Sequence, residues 1–411
     1  MSKGENVFVG MSKRKSVSKK KLVFVAMSGG VDSSVAALLL KKKGYDVIGV
    51  FMRCLGSDNG PSTSLDAARD KSLGVNCAET DAEDARRVAG KLGIPFYVWD
   101  FEEEYKKKVV DYMVDGYRRG LTPNPDVMCN KEIKFGLFLE KALKFGADYV
   151  ATGHYVRIKE KNGRFSLYAA KDKSKDQSYF LWTLNQEQLK HCLFPIGDYL
   201  KPEVRAIAKK AGLPTAEKKD SQGICFLGKV TLSDFLRNYL PVKKGVVLNV
   251  SGKKIGKHSG AHFYTIGQRH GLYSGDWKRT DEGNKPFYVS GKNVRNNTLV
   301  VAEGESDESL FREEVGLTDL NFINQITDDK LPISVFARVR YRQPLFRASL
   351  EFEKGRELKL VFDKPQKFVA AGQSAVFYVP AKALTTAGSK SSSSFAEATE
   401  DMEVLGGGVI K

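Results

Sequence analysis

The run Ser28-Gly29-Gly30-Val31-Asp32-Ser33-Ser34, set directly behind the apolar stretch Leu22–Met27, constrains this chain more than any other feature. An apolar β-prone run, a Ser/Gly turn and then a helical pattern (Val35–Lys43) make the layout of an anion cradle. Two glycines let the backbone approach an anion closely. The N–H groups of the turn and of the helix start have no intrahelical partner and point at it. Ser28, Ser33 and Ser34 add hydroxyl donors, and Asp32 can position a Mg²⁺ ion against phosphate charge. No Gly-Lys-Ser/Thr follows, so this is not a Walker loop. An ordinary Gly-containing strand-to-helix turn is the bland alternative for the segment taken alone.

The loop resembles the pyrophosphate loop of ATP pyrophosphatases, and the resemblance implies ATP as the nucleotide. Around it the chain alternates strand and helix signals. Strands are expected at Val47–Met52, Phe96–Asp100 and Tyr149–Thr152. Helices are expected at Asp81–Leu92, with Thr80 and Glu83 spaced as a capping box, at Glu102–Arg119 and at Glu132–Lys144. This alternation predicts an α/β fold whose N-terminal domain is a Rossmann-like parallel sheet, with its ligand at the C-terminal strand ends. The phosphate loop, Met52 and Gly153-His154 all fall at such ends. Asn162-Gly163 signals a hairpin, and Pro202–Ala211 a helix. After about Gly228 short β-prone runs dominate, which predicts a small central linking domain and a C-terminal β-barrel or sandwich. The expected divisions are a basic arm (1–21), a catalytic domain (22–227), a central domain (228–297) and a barrel (298–411) with a flexible insert near 389–401. The stretch Arg53–Cys77 reads as a loop.

A chain of 411 residues is too long for one simple core. Its net charge of +17 favours a polyanionic partner, RNA or DNA. No apolar stretch approaches the roughly 18–20 residues that span a bilayer, and there is no apolar signal core, so a cytoplasmic protein without a membrane partner is expected. Five cysteines, an odd number without dense spacing, fit a reducing compartment. No Cys-x-x-Cys or Cys/His cluster has zinc spacing, so no structural metal is expected.

Two cysteine segments carry chemistry. Thr122-Pro123-Asn124-Pro125-Asp126-Val127-Met128-Cys129-Asn130 reads as a rigid loop between two helices, with the Asp126 carboxylate three residues from the Cys129 thiol. Lys131, Lys134 and the positive end of a helix starting behind the loop favour the thiolate. A stiff loop with an incidental cysteine is the alternative. Asp220-Ser221-Gln222-Gly223-Ile224-Cys225-Phe226 places a second thiol after a polar Gly loop. Two thiols beside an ATP-activating site suggest sulfur transfer, with one cysteine carrying a persulfide. Cys54, Cys77 and Cys192 read as structural or incidental.

Together these stretches are similar to the tRNA-specific 2-thiouridylases, which replace the C2 oxygen of the wobble uridine with sulfur. The resemblance runs from about Leu22 to Tyr378 and resumes at Val404–Ile410. It includes AMSGGVDSSV (26–35), TPNPDVMCNKEIKF (122–135), ATGHY (151–155), KDQSYFL (175–181), KDSQGICF (219–226), FYTIGQRHGL (263–272), RYRQ (340–343) and GQSAVFY (372–378). Ala26 stands where the family usually has Gly. The resemblance implies that Ala26, Met27, Ser28, Gly29, Gly30, Val31, Asp32, Ser33 and Met52 hold ATP with Mg²⁺, with Gly153 beside the nucleotide. It implies that Asn124, Pro125 and Asp126 meet the target base. Cys129 is then the nucleophile, Cys225 the persulfide carrier, and a Cys129–Cys225 disulfide an alternate state. His154, Lys175, Asp176, Gln177, Arg340, Tyr341 and Gln373 are implied to face the tRNA, and a sulfur-donor protein is the implied partner. Whether Cys129 attacks the activated base or reduces the persulfide stays open. The rival readings are another ATP pyrophosphatase, such as an amidotransferase synthetase or an argininosuccinate-type ligase, a non-catalytic RNA-binding module, and a thiolase for another RNA position.

Overall fold

The computed structural model describes residues 20–54, 77–220, 230–272, 285–324, 331–352, 357–381 and 401–411. Most of the basic arm, most of the loop 53–77, most of the insert 389–401 and the whole of 221–229, including Cys225, lie outside the described residues.

Strands β1 (Leu22–Ala26), β2 (Asp46–Arg53), β3 (Phe96–Asp100) and β4 (Tyr149–Ala151) pair in parallel, as their apolar runs and intervening helices require. A later strand of two residues, Cys192–Leu193, adds to β4 and completes a five-stranded sheet. Helices α1 (Val31–Lys42), α2 (Cys77–Leu92) and Lys201–Lys210 cover one face with Val35, Leu38, Val88 and Val204. The helical runs 102–118 and 125–144 cover the other with Tyr105, Met113, Ile133 and Phe138. The chain order of the sheet is β3-β2-β1-β4, so β1 sits at the centre and delivers its loop to the middle of the C-terminal edge.

Two expectations need correction here. Helix α2 starts at Cys77, so Thr80 lies inside it and caps nothing; Glu83 instead holds Arg86 and Arg87 at 2.7 and 3.1 Å. The helix expected from Glu132 starts at Pro125. Both long runs on that face contain π-helical turns, Lys106–Val110 and Cys129–Leu137.

The hairpin forms as expected: β5 (Val156–Lys161) and β6 (Arg164–Ala169) flank Asn162 at φ 53° and Gly163 at φ 73°, the two positive values a type I′ turn needs. Strand β7 is Cys192–Leu193, named above. The central domain is a four-stranded sheet of β8 (Gly245–Asn249), β9 (Lys254–His258), β10 (Phe287–Asn293) and β11 (Thr298–Glu303) in the order β10-β11-β8-β9. Because β11 pairs with both β10 and β8, the central unit runs through Glu303 and the division expected at 298 moves past it.

Strands β12 (Phe311–Phe322), β13 (Ile333–Arg338), β14 (Phe346–Phe352), β15 (Leu358–Lys367), β16 (Ser374–Pro380) and β17 (Met402–Ile410) close into a barrel through β12–β17 pairing. The hairpin β5–β6 joins this sheet, with Tyr168 opposite Glu403. Arg157 ties it further, donating to Asp401 at 2.9 Å.

A buried polar seam fixes the barrel against the catalytic domain. Arg338 donates to Asp176 at 2.5 Å, with both side chains almost fully buried. Tyr179 Oη donates to the Ser374 carbonyl at 2.8 Å, and Trp182 Nε1 to Ser374 Oγ at 3.1 Å. Gly407 leaves the room Trp182 needs, since a Cβ there would sit 2.6 Å from the indole.

Candidate active site

The loop after β1 takes its shape from two glycines and three hydroxyls. Gly29 sits at φ +71°, and a Cβ on it would lie 2.2 Å from the Asp81 carbonyl oxygen. No other residue fits that position. Gly30 is the extended residue before α1. Ser33 and Ser34 turn their hydroxyls back to the Gly30 carbonyl at 3.2 and 2.7 Å, and the Ser28 amide donates to Ser33 Oγ at 3.2 Å. Ser34 is fully buried and also accepts from Thr215 at 3.0 Å, so its hydroxyl holds the loop and is not the ligand donor expected. Met27 and Val31 point into the core, and the Met27 amide is bonded to the Val50 carbonyl. These two residues, with the buried Ala26, shape the loop through their backbone.

Gly153, just beyond β4, forms the opposite wall. A Cβ there would lie 2.6 Å from the Ser33 backbone nitrogen. Met52, half-buried at the end of β2, stands at the same sheet edge. A glycine-lined turn at a helix N-terminus, with Gly29 and Gly153 held where a Cβ would clash, fits the polyphosphate of a nucleotide.

Asp32 is not an isolated carboxylate. Lys201 Nζ donates to both of its oxygens at 2.8 Å, and Tyr155 Oη donates to one at 2.9 Å. Lys201 is also 2.8 Å from Asp220, which Lys175 and Arg205 hold at 2.8 and 2.7 Å. These cations depress the Asp220 pKa to about 2 against the opposing effect of burial, which is the largest single influence. Among the described residues no three His, Cys, Asp or Glu side chains converge on one point. Asp32 is the carboxylate of this loop that could hold a divalent cation, in place of the Lys201 ammonium.

The reactive segment is helical where the sequence suggested a loop. Asn124 caps a helix that has Pro125 at its first position, its Oδ1 accepting from the Asp126 and Val127 amides at 3.1 and 3.2 Å. Cys129 is therefore not in front of a helix start. It is buried at the head of the π-helical turn, one helical turn from Asp126 and on the same face. The expected dipole effect on its thiol is lost, because the amides at the true helix start lie four residues upstream. Burial raises the pKa of Asp126, opposed by the charge of Lys134.

Gly153-His154 links the two halves. His154 is buried between Phe135 and Phe194, with ring centroids at 6.0 and 6.4 Å, and shares a 2.7 Å hydrogen bond with Thr152. Burial, aided by Lys134, holds it neutral by pushing its pKa well down.

The residues expected to face RNA are mostly engaged within the protein. Lys175 pairs with Asp220, Asp176 is buried against Arg338, and the Gln177 side-chain Oε1 accepts from the Tyr155 backbone amide at 2.9 Å. Arg340 is largely buried and donates to the Ile266 carbonyl of the central domain. Tyr341 packs on Phe180 at 4.3 Å, and the exposed Arg342 lies over its ring at 5.4 Å with φ at +66°. Gln373 Nε2 donates to the Thr122 carbonyl at 2.9 Å. Lys201, Tyr155, Arg205, Phe180 and Arg342 were missed by sequence reasoning. Phe180 lay within a matched stretch and Pro202 marked the Lys201 helix, but no local pattern announced their partners.

Family models match three successive stretches of the chain. A tRNA methyl transferase HUP domain covers residues 21–229, a tRNA methyl transferase PRC-barrel domain 233–303, and an aminomethyltransferase beta-barrel domain 312–387. The chain is similar along most of its length to the tRNA-specific 2-thiouridylase MnmA of Streptococcus equi subsp. zooepidemicus (strain MGCS10565), 47% identical over 362 residues, 88% of this chain and 92% of that one. The protein of the same name from Bacillus cytotoxicus is 46% identical over 357 residues, 87% of this chain and 91% of that one. That from Geobacillus thermodenitrificans is 46% identical over 356 residues, with the same two shares.

Proposed function

We infer the function of this chain from the family to which it belongs, the tRNA-specific 2-thiouridylases. It is a sulfurtransferase that uses ATP and replaces the C2 oxygen of a tRNA uridine, the wobble uridine, with sulfur. The observation that carries this reading is identity of 46–47% to thiouridylases over 87–88% of the chain; the HUP-domain match over residues 21–229 takes in the phosphate loop and the Cys129 segment together. The domain descriptions speak of methyl transfer, but each covers only part of the chain, and relatives matched over most of its length outweigh them.

The uridine C2 oxygen is a poor leaving group. Adenylating it with ATP makes AMP the leaving group and releases pyrophosphate into the loop Ser28–Ser33, whose N–H groups stabilise the charge. Ala26, Met27, Val31, Met52 and Gly153 shape that nucleotide site. Asp32 would hold Mg²⁺, which neutralises phosphate charge. Sulfur arrives on Cys225 as a persulfide from a donor protein. In one route Cys129 attacks C2 and expels AMP, the terminal persulfide sulfur displaces it from C2, and the freed Cys129 thiolate then cleaves the Cys225–sulfur bond to the base; in the other Cys129 attacks the Cys225 sulfur and releases sulfide, which attacks C2 and expels AMP. Either route ends in a Cys129–Cys225 disulfide, which an external thiol reduces before the next turnover. Asp126 moves the proton, and its raised pKa supports that role. Asn124 and Pro125 set the pocket for a base that has left the anticodon stack, which costs less from a single-stranded loop than from a duplex. His154, Lys175, Asp176, Gln177, Arg340, Tyr341 and Gln373 border the RNA path, several of them by holding the surfaces it meets. Among the described residues no helix is long and apolar enough to cross a membrane, and a chemistry of free thiols suits the reducing cytoplasm.

Pyrophosphate release tests the reading. It should require tRNA, and it should persist at reduced yield when Cys225 is replaced by serine. Release that ignores tRNA and follows some other acceptor would replace this reading with another ATP pyrophosphatase.

A further inference from the structure

The charge cluster behind the phosphate loop does more than hold the fold. Asp32 and Asp220 stand on either side of a single ammonium, Lys201 Nζ, at 2.8 Å from each. The two ends of Lys201 differ in freedom. Its backbone is fixed, because its amide donates to Asp172 at 2.9 Å and Pro202 follows at the helix start. Its ammonium is the only part free to move, and it has two carboxylates within reach. Asp220 is anchored by Lys175 and Arg205 whichever way Lys201 turns. Among the described residues, Asp32 keeps the Tyr155 hydroxyl once Lys201 leaves.

Both oxygens of Asp32 accept from Lys201, so a divalent cation entering at this carboxylate would stand beside an ammonium that repels it. An ammonium and a metal ion compete for the same negative charge. Resting on the reading that Asp32 faces the phosphates of ATP, we propose that Lys201 is a positioning residue that exchanges between two carboxylates: it neutralises Asp32 in the absence of nucleotide and passes to Asp220 when a divalent cation enters with ATP. The exchange is local, since Lys201 already contacts Asp220 at 2.8 Å and keeps that contact as it leaves Asp32. It also ties the phosphate loop to Asp220, which lies five residues ahead of Cys225 in sequence. Phosphate-loop occupancy is thereby communicated to the start of the persulfide segment.

The exchange predicts opposite effects for its two sides. Lys201→Met removes the competitor at Asp32. Asp220→Asn removes the destination, so Lys201 is held more firmly on Asp32. The experiment titrates Mg²⁺ into each full-length protein with α,β-methylene-ATP, without tRNA, and reads nucleotide binding by calorimetry. The Mg²⁺ concentration for half-maximal binding should fall about tenfold in Lys201→Met and rise about tenfold in Asp220→Asn, from the loss or retention of one charge-assisted hydrogen bond. A shift in the same direction in both variants, or none in either, overturns the proposal while leaving nucleotide binding in place. If Lys201→Met does not fold, Asp220→Asn alone decides by the sign of its shift. Wild-type protein that binds no nucleotide at any Mg²⁺ concentration would overturn both the ATP reading of the loop and the exchange built on it.

Discussion

The side-chain amide of Gln373 donates to the carbonyl oxygen of Thr122 at 2.9 Å, across 251 residues of sequence. The Thr122 amide in turn donates to the Ala371 carbonyl at 2.7 Å, and Lys292 of the central domain reaches the Leu121 carbonyl at 3.4 Å. The stretch ahead of Asn124 is thus held by all three domains. Gln373→Ala should lower kcat for thiolation about tenfold, short of the roughly hundredfold that a 1 Å misplacement can cost. The KM for ATP should not change. A steady-state comparison in which ATP KM rises and kcat stays would contradict a role at this loop.

Gly153→Ala pushes a methyl group to 2.6 Å from the Ser33 nitrogen, a backbone atom at the start of α1. The phosphate loop must shift to accept it. ATP affinity should fall at least about tenfold, because several loop N–H groups are displaced together, while circular dichroism stays that of the wild type. Unchanged nucleotide binding would place the nucleotide elsewhere.

Asp126 should set the acid limb of the pH–rate profile. Burial raises its pKa above the usual 3.8, and Lys134 works against that rise. A working base is lost as pH falls through its own pKa, so the limb should lie above the ordinary aspartate range. Lys134→Met removes a charge that lowers this pKa and should move the limb to higher pH. A limb that moves down, or one that survives in Asp126→Asn, would exclude Asp126 as the base.

Arg338 and Asp176 form a nearly dry ion pair between the barrel and the catalytic domain. Arg338→Met leaves the carboxylate buried with its charge uncompensated and should cost about 3–5 kcal/mol in urea denaturation. Adding Asp176→Asn should recover part of that loss. Equal destabilisation in the single and the double variant would argue that the pair contributes only by packing.

Much of this architecture was legible in the chain. Apolar runs such as Val47–Met52 and Phe96–Asp100 read as strands, the second lying at the sheet edge with Tyr97 and Val98 exposed, and Asn162-Gly163 specified its hairpin through the positive φ values that those residues tolerate. The Cys129 segment was misread because proline and asparagine serve both loops and helix starts. Here Asn124 is a cap and Pro125 the first helical residue, so the punctuation lay at the beginning of the helix. The partners of Asp32 were not legible at all. Lys201 lies 169 residues away, and an ion pair of that separation leaves no periodic trace. The same holds for the hairpin's union with β17, where one register contact, Tyr168 opposite Glu403, joins segments far apart in sequence. The aromatic pair Phe180–Tyr341 is likewise assembled from two domains.

The most direct measurement is nucleoside mass spectrometry of tRNA incubated with the full-length protein, ATP, Mg²⁺ and a cysteine desulfurase with cysteine as the persulfide donor, with Cys129→Ser in parallel. The expected result is an ATP-dependent exchange of one oxygen for one sulfur on the wobble uridine, absent in the Cys129→Ser reaction. A tRNA that gains no sulfur, or gains it equally without Cys129, would contradict thiolation through this site.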